Sequence, residues 1–320
     1  MNIPGLGDIE MNLECVTPQR HDEVHIAFTV DAKYVQHMGG AITSIIVNNP
    51  EVNFSFYIIY DNMLEADFNK LKKLSDIFQQ PLHFYKITNP SQIDSLKIIP
   101  HISKAVYYRL MLPYILPQDL EKVIYLDADL VCCGDIRGLW HTPLGNAPVA
   151  AKLINAYEDQ VTRLGISNGQ YLNAGVLLVN LLTWRQDDIP RRIIDFMLTY
   201  PEKIVWLEQD AIAVVLEGQI IPIDDSFNTT IDCATGDGTI KENSVIIHFV
   251  GACKPWQQWC PDERKKLYWD YLKISPWREA TPDAPQTLVH CLYAARLENA
   301  RTNAVAVEEI LRNLIMRLLN

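Results

Sequence analysis

Val123-Ile124-Tyr125-Leu126-Asp127-Ala128-Asp129-Leu130-Val131 decides how this chain is read. Apolar, β-prone residues run without a break into two carboxylates one residue apart. An unbroken apolar run of this kind marks a strand buried on both faces, as in a parallel sheet. Open α/β sheets hold their ligands beyond the carboxyl ends of such strands, where Asp127 and Asp129 fall. Two hard oxygen donors at this spacing suit a divalent cation able to hold a nucleotide diphosphate. Two acids that merely cap a turn leave the same signature, so the flanking sequence has to separate the two readings.

Upstream, strands alternate with helices. Val24 to Val30 reads as a first strand, followed by Met38, Ile42, Ile45 and Ile46 at helical spacing. Phe54 to Tyr60 reads as a second strand, with a helix over Leu64 to Phe78. Pro81 resets the chain before a third strand, Leu82 to Ile87, and a helical segment spans Ser103 to Leu112. The alternation predicts an α/β fold with a mostly parallel sheet flanked by helices. Downstream, the polar stretch 155–172 reads as a mobile loop carrying a short helix. Asn173 to Asn180 and Val245 to Phe249 read as buried strands, and Pro190–Tyr200 and Leu207–Leu216 as helices. Three parts follow: an irregular lead-in over 1–23, one α/β domain over 24–277, and a small helical C-terminal extension over 278–320. The last helix carries Val307, Ile310, Leu311, Leu314, Ile315 and Leu318 in one stripe. That stripe fits packing on the domain, pairing with another subunit, or peripheral contact with a membrane.

Composition excludes several classes. The 320 residues, 48% hydrophobic and 21% charged, are those of a globular protein with a sizeable core. A net charge of −11 argues against nucleic-acid binding, which needs a basic surface. A bound diphosphate would therefore need local neutralisation by a cation and a few Lys or Arg side chains. Seven cysteines without a regular framework point to reduced thiols and a cytoplasmic protein. Met1 to Glu10 does not read as a secretory signal, and no apolar run is long enough for a membrane span.

Candidate chemistry lies near the strand ends. His248 closes an apolar strand, either as a structural histidine or as a third metal ligand. Gly251 permits close backbone approach to a phosphate, and Lys254 follows within reach of an anion. Nitrogen beside hard oxygens leans toward Mn²⁺, with Mg²⁺ the alternative. Asp31, at the end of the first strand, fits either a helix N-cap or a contact to a base or ribose, and Tyr34 offers a stacking face. Glycine-rich dinucleotide and P-loop motifs are missing.

Six segments in order resemble the family 8 retaining glycosyltransferases. They are Thr29-Val30-Asp31-Ala32-Lys33-Tyr34, Tyr107-Tyr108-Arg109-Leu110, Tyr125-Leu126-Asp127-Ala128-Asp129, Tyr171-Leu172-Asn173-Ala174-Gly175-Val176-Leu177, Gln209-Asp210, and His248-Phe249-Val250-Gly251-Ala252-Cys253-Lys254-Pro255-Trp256. Ser275-Pro276-Trp277 and the helical tail further resemble the bacterial lipopolysaccharide core glucosyl- and galactosyltransferases. The resemblance implies the GT-A fold, a Rossmann-like nucleotide-binding sheet. It also implies a cytoplasmic enzyme, and the C-terminal helices leave open peripheral contact with the cytoplasmic face of the inner membrane. The donor would be a UDP-hexose and the acceptor a glycan such as the lipopolysaccharide core. Asp127, Asp129 and His248 would ligate Mn²⁺. Thr29, Val30, Asp31 and Tyr34 would hold uridine, and Gly251 and Lys254 the diphosphate. Arg109 and Asn173 would bind sugar hydroxyls, with Ala128 and Ala174 beside the donor. Gln209 would sit at the anomeric carbon, with Glu208 and Asp210 as neighbouring carboxylates.

Two positions depart from the family pattern. Glu208 stands where the family usually has Asp, and Ala213 where Asn is common. The extra methylene of Glu208 leaves the choice between glucose and galactose open. Two other functions compete. Asp127-Ala128-Asp129-Leu130-Val131 also fits the nucleophile motif of a haloacid-dehalogenase-like phosphatase, although that motif normally lies on a domain's first strand and no second acidic site is clear; Asp224-Asp225 is a candidate but fits a turn better. The other alternative is a non-catalytic sugar-nucleotide-binding protein.

Overall fold

The computed structural model describes residues 2–3, 7–10, 23–89, 96 and 103–301. Its strands are β1 (Asn2–Ile3), β2 (Gly7–Glu10), β3 (Glu23–Val30), β4 (Asn53–Tyr60), β5 (Leu82–Asn89), β6 (Lys122–Leu126), β7 (Leu130–Cys132), β8 (Val149–Asn155), β9 (Gln170–Asn180), β10 (Ile220–Pro222), β11 (Thr229–Asp232) and β12 (Ile246–Val250). Nine of them form the main sheet in the order β1-β2-β5-β4-β3-β6-β9-β8-β10. Its centre, β5-β4-β3-β6, is parallel. The long strand β9 runs antiparallel to both β6 and β8. Alternate residues feed two cores on opposite faces. Ile26, Phe28, Ile124 and Leu126 enter one, and Ala27, Val123 and Tyr125 the other. Burial on both faces explains why β3 and β6 read as continuous apolar runs.

A second, three-stranded sheet decides the site. Its order is β11-β12-β7. Strand β7 resumes immediately after the Asp127–Asp129 turn and pairs antiparallel with β12, setting His248 opposite Leu130. The Phe249 amide donates to the Asp129 carbonyl at 2.9 Å. This ladder brings residues far apart in sequence to one strand end.

Several expectations are corrected. The lead-in is not wholly irregular, because β2 pairs antiparallel with β5 and β1 with β2. Such short polar strands take their order from an available sheet edge rather than from their own hydrophobic pattern. The segment Lys104–Met111 is a 3₁₀ helix. In the stretch read as a mobile loop, β8 extends to Asn155, helix Glu158–Leu164 follows, and β9 starts at Gln170. The turn expected at Asp224-Asp225 is there, with the Asp224 carboxylate accepting from the Ser226 amide at 2.9 Å.

The chain beyond β12 packs back on the domain. Trp277 is buried, and its indole N–H donates to Asp67 at 2.8 Å. The stretch after Trp277 is tied down where the Asp283 amide donates to the Trp256 carbonyl at 2.9 Å. His290, on helix Leu288–Arg301, stacks on Trp259 with ring centroids 4.2 Å apart. The stripe from Val307 to Leu318 lies outside the described residues. Among the described residues, no helix is long and apolar enough to cross a membrane.

Candidate active site

The carboxyl ends of β3 and β6 open into a cavity of about 380 Å³. Thr29, Val30, Asp31, Tyr34, Arg109, Asp127, Ala128, Asp129, Asn173, Ala174, Glu208, Gln209, His248, Gly251 and Lys254 all line it. Of the residues to which the resemblance gives a role in the site, Asp210 alone does not.

Asp127, Asp129 and His248 each present one atom to a common point, and the three atoms lie within 4.8 Å of one another. His248 Nε2 is 3.2 Å from Asp129 Oδ1 and 4.0 Å from Asp127 Oδ2. Two ligands at right angles on an ion with ~2.1 Å bonds stand about 3 Å apart, so the spacing fits one small divalent cation. The remaining oxygens are occupied. Asp127 Oδ1 accepts from Arg109 Nη2 at 2.9 Å and from the Tyr125 hydroxyl at 2.8 Å. Asp129 Oδ2 accepts from Lys254 Nζ at 2.6 Å. Asp129 Oδ1 is buried and accepts no hydrogen bond.

Asn228 defines the histidine. Its Nδ2 donates to Asn173 Oδ1 at 2.9 Å, which turns its Oδ1 toward His248 Nδ1, 3.1 Å away. Nδ1 therefore carries the proton, and the Nε2 lone pair points at two carboxylates. A ring nitrogen facing carboxylate oxygens in a buried site is satisfied by its own proton or by a metal cation between them, and this donor set suits the cation. Nothing in sequence marked Asn228, a polar residue in a turn like many others. Gly175 was equally silent. A Cβ there would lie 2.1 Å from His248 Cε1 and 2.9 Å from Asp127 Oδ2, so only glycine leaves room for the cluster.

Around this centre, buried charges are paired. Burial by itself would raise the Asp129 carboxyl, but the Lys254 ammonium outweighs it and holds it well below the usual carboxylate range. Arg109 is buried beneath the cavity, with Nη1 on the Ala174 carbonyl at 2.6 Å and Nε 3.2 Å from Glu208 Oε1. Burial pushes the Glu208 carboxyl up against the pull of Arg109, and its Oε2 has no hydrogen-bond partner. Gln209 is held at both ends of its amide. Oε1 accepts from the Ala174 amide at 2.9 Å, and Nε2 donates to the Tyr171 hydroxyl at 3.1 Å.

Asp210 is a correction. It is fully buried, turned away from the cavity, and accepts four hydrogen bonds, from Tyr171, Arg163 and the amides of Val205 and Trp206. Both oxygens of this carboxylate are committed to hydrogen bonds within the fold, and neither lines the cavity.

At the end of β3, one oxygen of Asp31 accepts from the Lys33 and Tyr34 amides at 2.9 and 3.2 Å. The carboxylate thus closes the turn ahead of helix Val35–Asn48, whose N-cap is Tyr34, while Asp31 also lines the cavity. The Thr29 hydroxyl is 3.0 Å from that of Tyr125. Tyr34 is half-buried, edge-on to Trp256 and to His37. His37 lies behind it, stacked on Trp256 at 3.5 Å, and burial pushes its pKa down to about 3. Gly251 has φ +79°, the left-handed conformation expected of glycine at a close backbone approach. Tyr157 and Trp206 line the mouth with rings 71% and 47% exposed.

Comparison with known proteins gives a consistent picture. The model of the family "Glycosyl transferase family 8" matches residues 25–260. A lipopolysaccharide 1,2-glucosyltransferase of Escherichia coli K12 is 32% identical over 83% of this chain and 82% of its own. A lipopolysaccharide 1,3-galactosyltransferase of Salmonella typhimurium is 26% identical over 86% and 85%. Among solved structures, the galactosyltransferase LgtC in complex with donor and acceptor sugar analogs superposes with a TM-score of 0.72. It is 23% identical, and the match covers 80% of this chain and 99% of that one.

Proposed function

The chain belongs to glycosyl transferase family 8 and has the GT-A fold, and from that premise we propose that it is a Mn²⁺-dependent retaining hexosyltransferase. It moves glucose or galactose from a UDP-sugar to a glycan acceptor of the lipopolysaccharide core type. We place it in the cytoplasm, with the exposed Leu288, Val289 and Leu292 as its contact to the inner face of the membrane. Family membership sets aside the phosphatase alternative. One observation carries the metal assignment: the His248 Nε2 lone pair and the unpartnered Asp129 Oδ1 face each other in a buried site, 3.2 Å apart.

In this reading Asp127, Asp129 and His248 would hold Mn²⁺, which would supply Lewis-acid neutralisation of charge on a departing diphosphate. Lys254 supplies further positive charge on the same side, preorganised by its buried position. Thr29, Val30, Asp31 and Tyr34 seat the uridine, and Gly251 admits the diphosphate to the backbone. Arg109, Asn173, Ala128 and Ala174 seat the sugar. Glu208 Oε2, buried without a donor, is the acceptor for a sugar hydroxyl; its extra length over Asp is the feature expected to choose between epimers.

The residues also bear on retention. Double displacement needs a carboxylate or carbonyl free to attack the anomeric carbon. Both ends of the Gln209 amide are engaged, and all of Asp210 is. Glu208 keeps a free Oε2, which this reading commits to a sugar hydroxyl, and we therefore favour attack by the acceptor hydroxyl on the face the UDP leaves, with the departing phosphate taking its proton. Gln209 positions its carbonyl dipole near the developing oxocarbenium charge. The exposed rings of Tyr157 and Trp206 offer apolar faces on which an acceptor sugar stacks.

The test is a donor screen of the full chain, with UDP release measured with Mn²⁺ and with chelator, with and without a core glycan acceptor. Release from UDP-glucose or UDP-galactose that depends on Mn²⁺ is expected. Equal release in chelator would sink the metal assignment. Binding of UDP-sugar without turnover toward any acceptor would leave a non-catalytic binding protein instead.

A further inference from the structure

Leu207 lies at φ 53° and ψ −136°, in backbone space that residues with a side chain avoid. It stands immediately before Glu208 and Gln209. The amides of Val205 and Trp206, just ahead of it, donate to Asp210 Oδ2 at 2.7 and 2.8 Å. That oxygen also accepts from Arg163 Nη1 at 2.9 Å, and the same Nη1 donates to the Lys203 carbonyl. Arg163 comes from helix Glu158–Leu164, whose first turn carries the mouth residue Gln160.

From this clamp, hydrogen bonds lead to the centre of the site. Asp210 Oδ1 accepts from the Tyr171 hydroxyl at 2.6 Å, which accepts from Gln209 Nε2 at 3.1 Å. Gln209 Oε1 takes the Ala174 amide at 2.9 Å, and the Ala174 carbonyl takes Arg109 at 2.6 Å. Arg109 in turn reaches Asp127 at 2.9 Å. Among the described residues, Arg163 is the only cation at ion-pair distance from the fully buried Asp210. A turn in disfavoured backbone space persists only while its surroundings over-determine it. Loosening one hydrogen-bonded clamp lets it relax, and Tyr171 would carry that movement to Gln209.

We propose that Arg163 is a positioning residue for hexosyl transfer: it closes the 203–207 turn around Asp210 and thereby sets Glu208 and Gln209 against the donor sugar. The inference rests on the hexosyltransferase reading above. A direct test uses the full chain as wild type, Arg163→Gln and Arg163→Lys. Three measurements are made: thermal melting, hydrogen exchange at the Val205 and Trp206 amides, and steady-state kinetics with the active UDP-hexose and Mn²⁺. In folded Arg163→Gln, exchange at the two amides speeds by about tenfold or more. Its kcat falls by about tenfold or more while KM for the UDP-hexose moves by less than about threefold. Arg163→Lys, which keeps the charge, recovers part of kcat. Unchanged exchange overturns the proposal, and so does faster exchange with wild-type kcat. If Arg163→Gln fails to fold, Arg163→Lys is judged by the same two outcomes. If the wild type turns over no donor, the hexosyltransferase reading fails on its own, and exchange alone decides whether Arg163 clamps the turn.

Discussion

Substituting Gly175→Ala tests the metal centre without touching a ligand. The added Cβ would lie 2.1 Å from His248 Cε1. Carbon atoms in contact stand about 3.5–4.0 Å apart, so ring and methyl must separate by about 1.4 Å more. Neither side yields easily. His248 is 3% exposed and bound to Asn228, while Gly175 sits in β9 with its carbonyl accepting from the Asp127 amide at 2.8 Å. Metal–ligand distances tolerate only about 0.2 Å, several times less than the forced movement. Disturbing even the outer partners of a metal site commonly costs about 10–100-fold in affinity, and that is the least loss expected here for Mn²⁺. Overpacking costs about 1–3 kcal/mol, so the chain should still fold with a lower melting temperature. Mn²⁺ titration followed by calorimetry or by the spin resonance of the free ion reads the affinity, and circular dichroism checks the fold. A folded Gly175→Ala protein that binds Mn²⁺ like the wild type would refute the three-ligand cluster.

Three further outcomes follow from the same geometry. Asn228→Ala leaves the buried His248 Nδ1–H without its acceptor and frees the ring to turn, so half-saturation with Mn²⁺ should rise about 10–100-fold; an unchanged Mn²⁺ dependence would mean that Asn228 does not set the imidazole. Trp206→Ala removes an exposed ring at the cavity mouth, so acceptor KM should rise about tenfold with donor KM little changed, and a donor-only effect would assign Trp206 to the wrong substrate. His37 is held near pKa 3 in the fold against 6.5 ordinarily. It takes up a proton on unfolding, so its contribution is fully present above about pH 6.5 and is lost as pH falls toward 3, with a slope of up to about 1.4 kcal/mol per pH unit. In denaturant melts across that window, His37→Gln should lose stability less steeply than the wild type; parallel slopes would show that His37 does not titrate this way.

Much of this molecule was legible along the chain. Periodicity alone marked β3, β4, β6, β9 and β12, because strands buried on both faces must be apolar throughout. The acids at the end of β6 and the six segments in order were enough to state the family, the fold and most cavity residues. Short edge strands stayed hidden, since β1, β2 and β10 derive their order from partners rather than from pattern. The roles of Gly175, Asn228 and Arg163 were hidden for a related reason. A glycine required by an imidazole, an amide that fixes a tautomer and an arginine that clamps a turn on another element are defined by neighbours distant in sequence. Asp210 shows the limit from the other side. Its place beside Gln209 suggested catalysis, but the helix beginning at Glu208 turns successive side chains about 100° apart, which sends Asp210 into the core while Glu208 and Gln209 face the cavity. Sequence by itself determined which chemical groups this protein has and the strand ends that carry them. Tertiary structure alone decided which of them converge, because the β7–β12 ladder and the packing around Gly175 set distances that no spacing along the chain encodes.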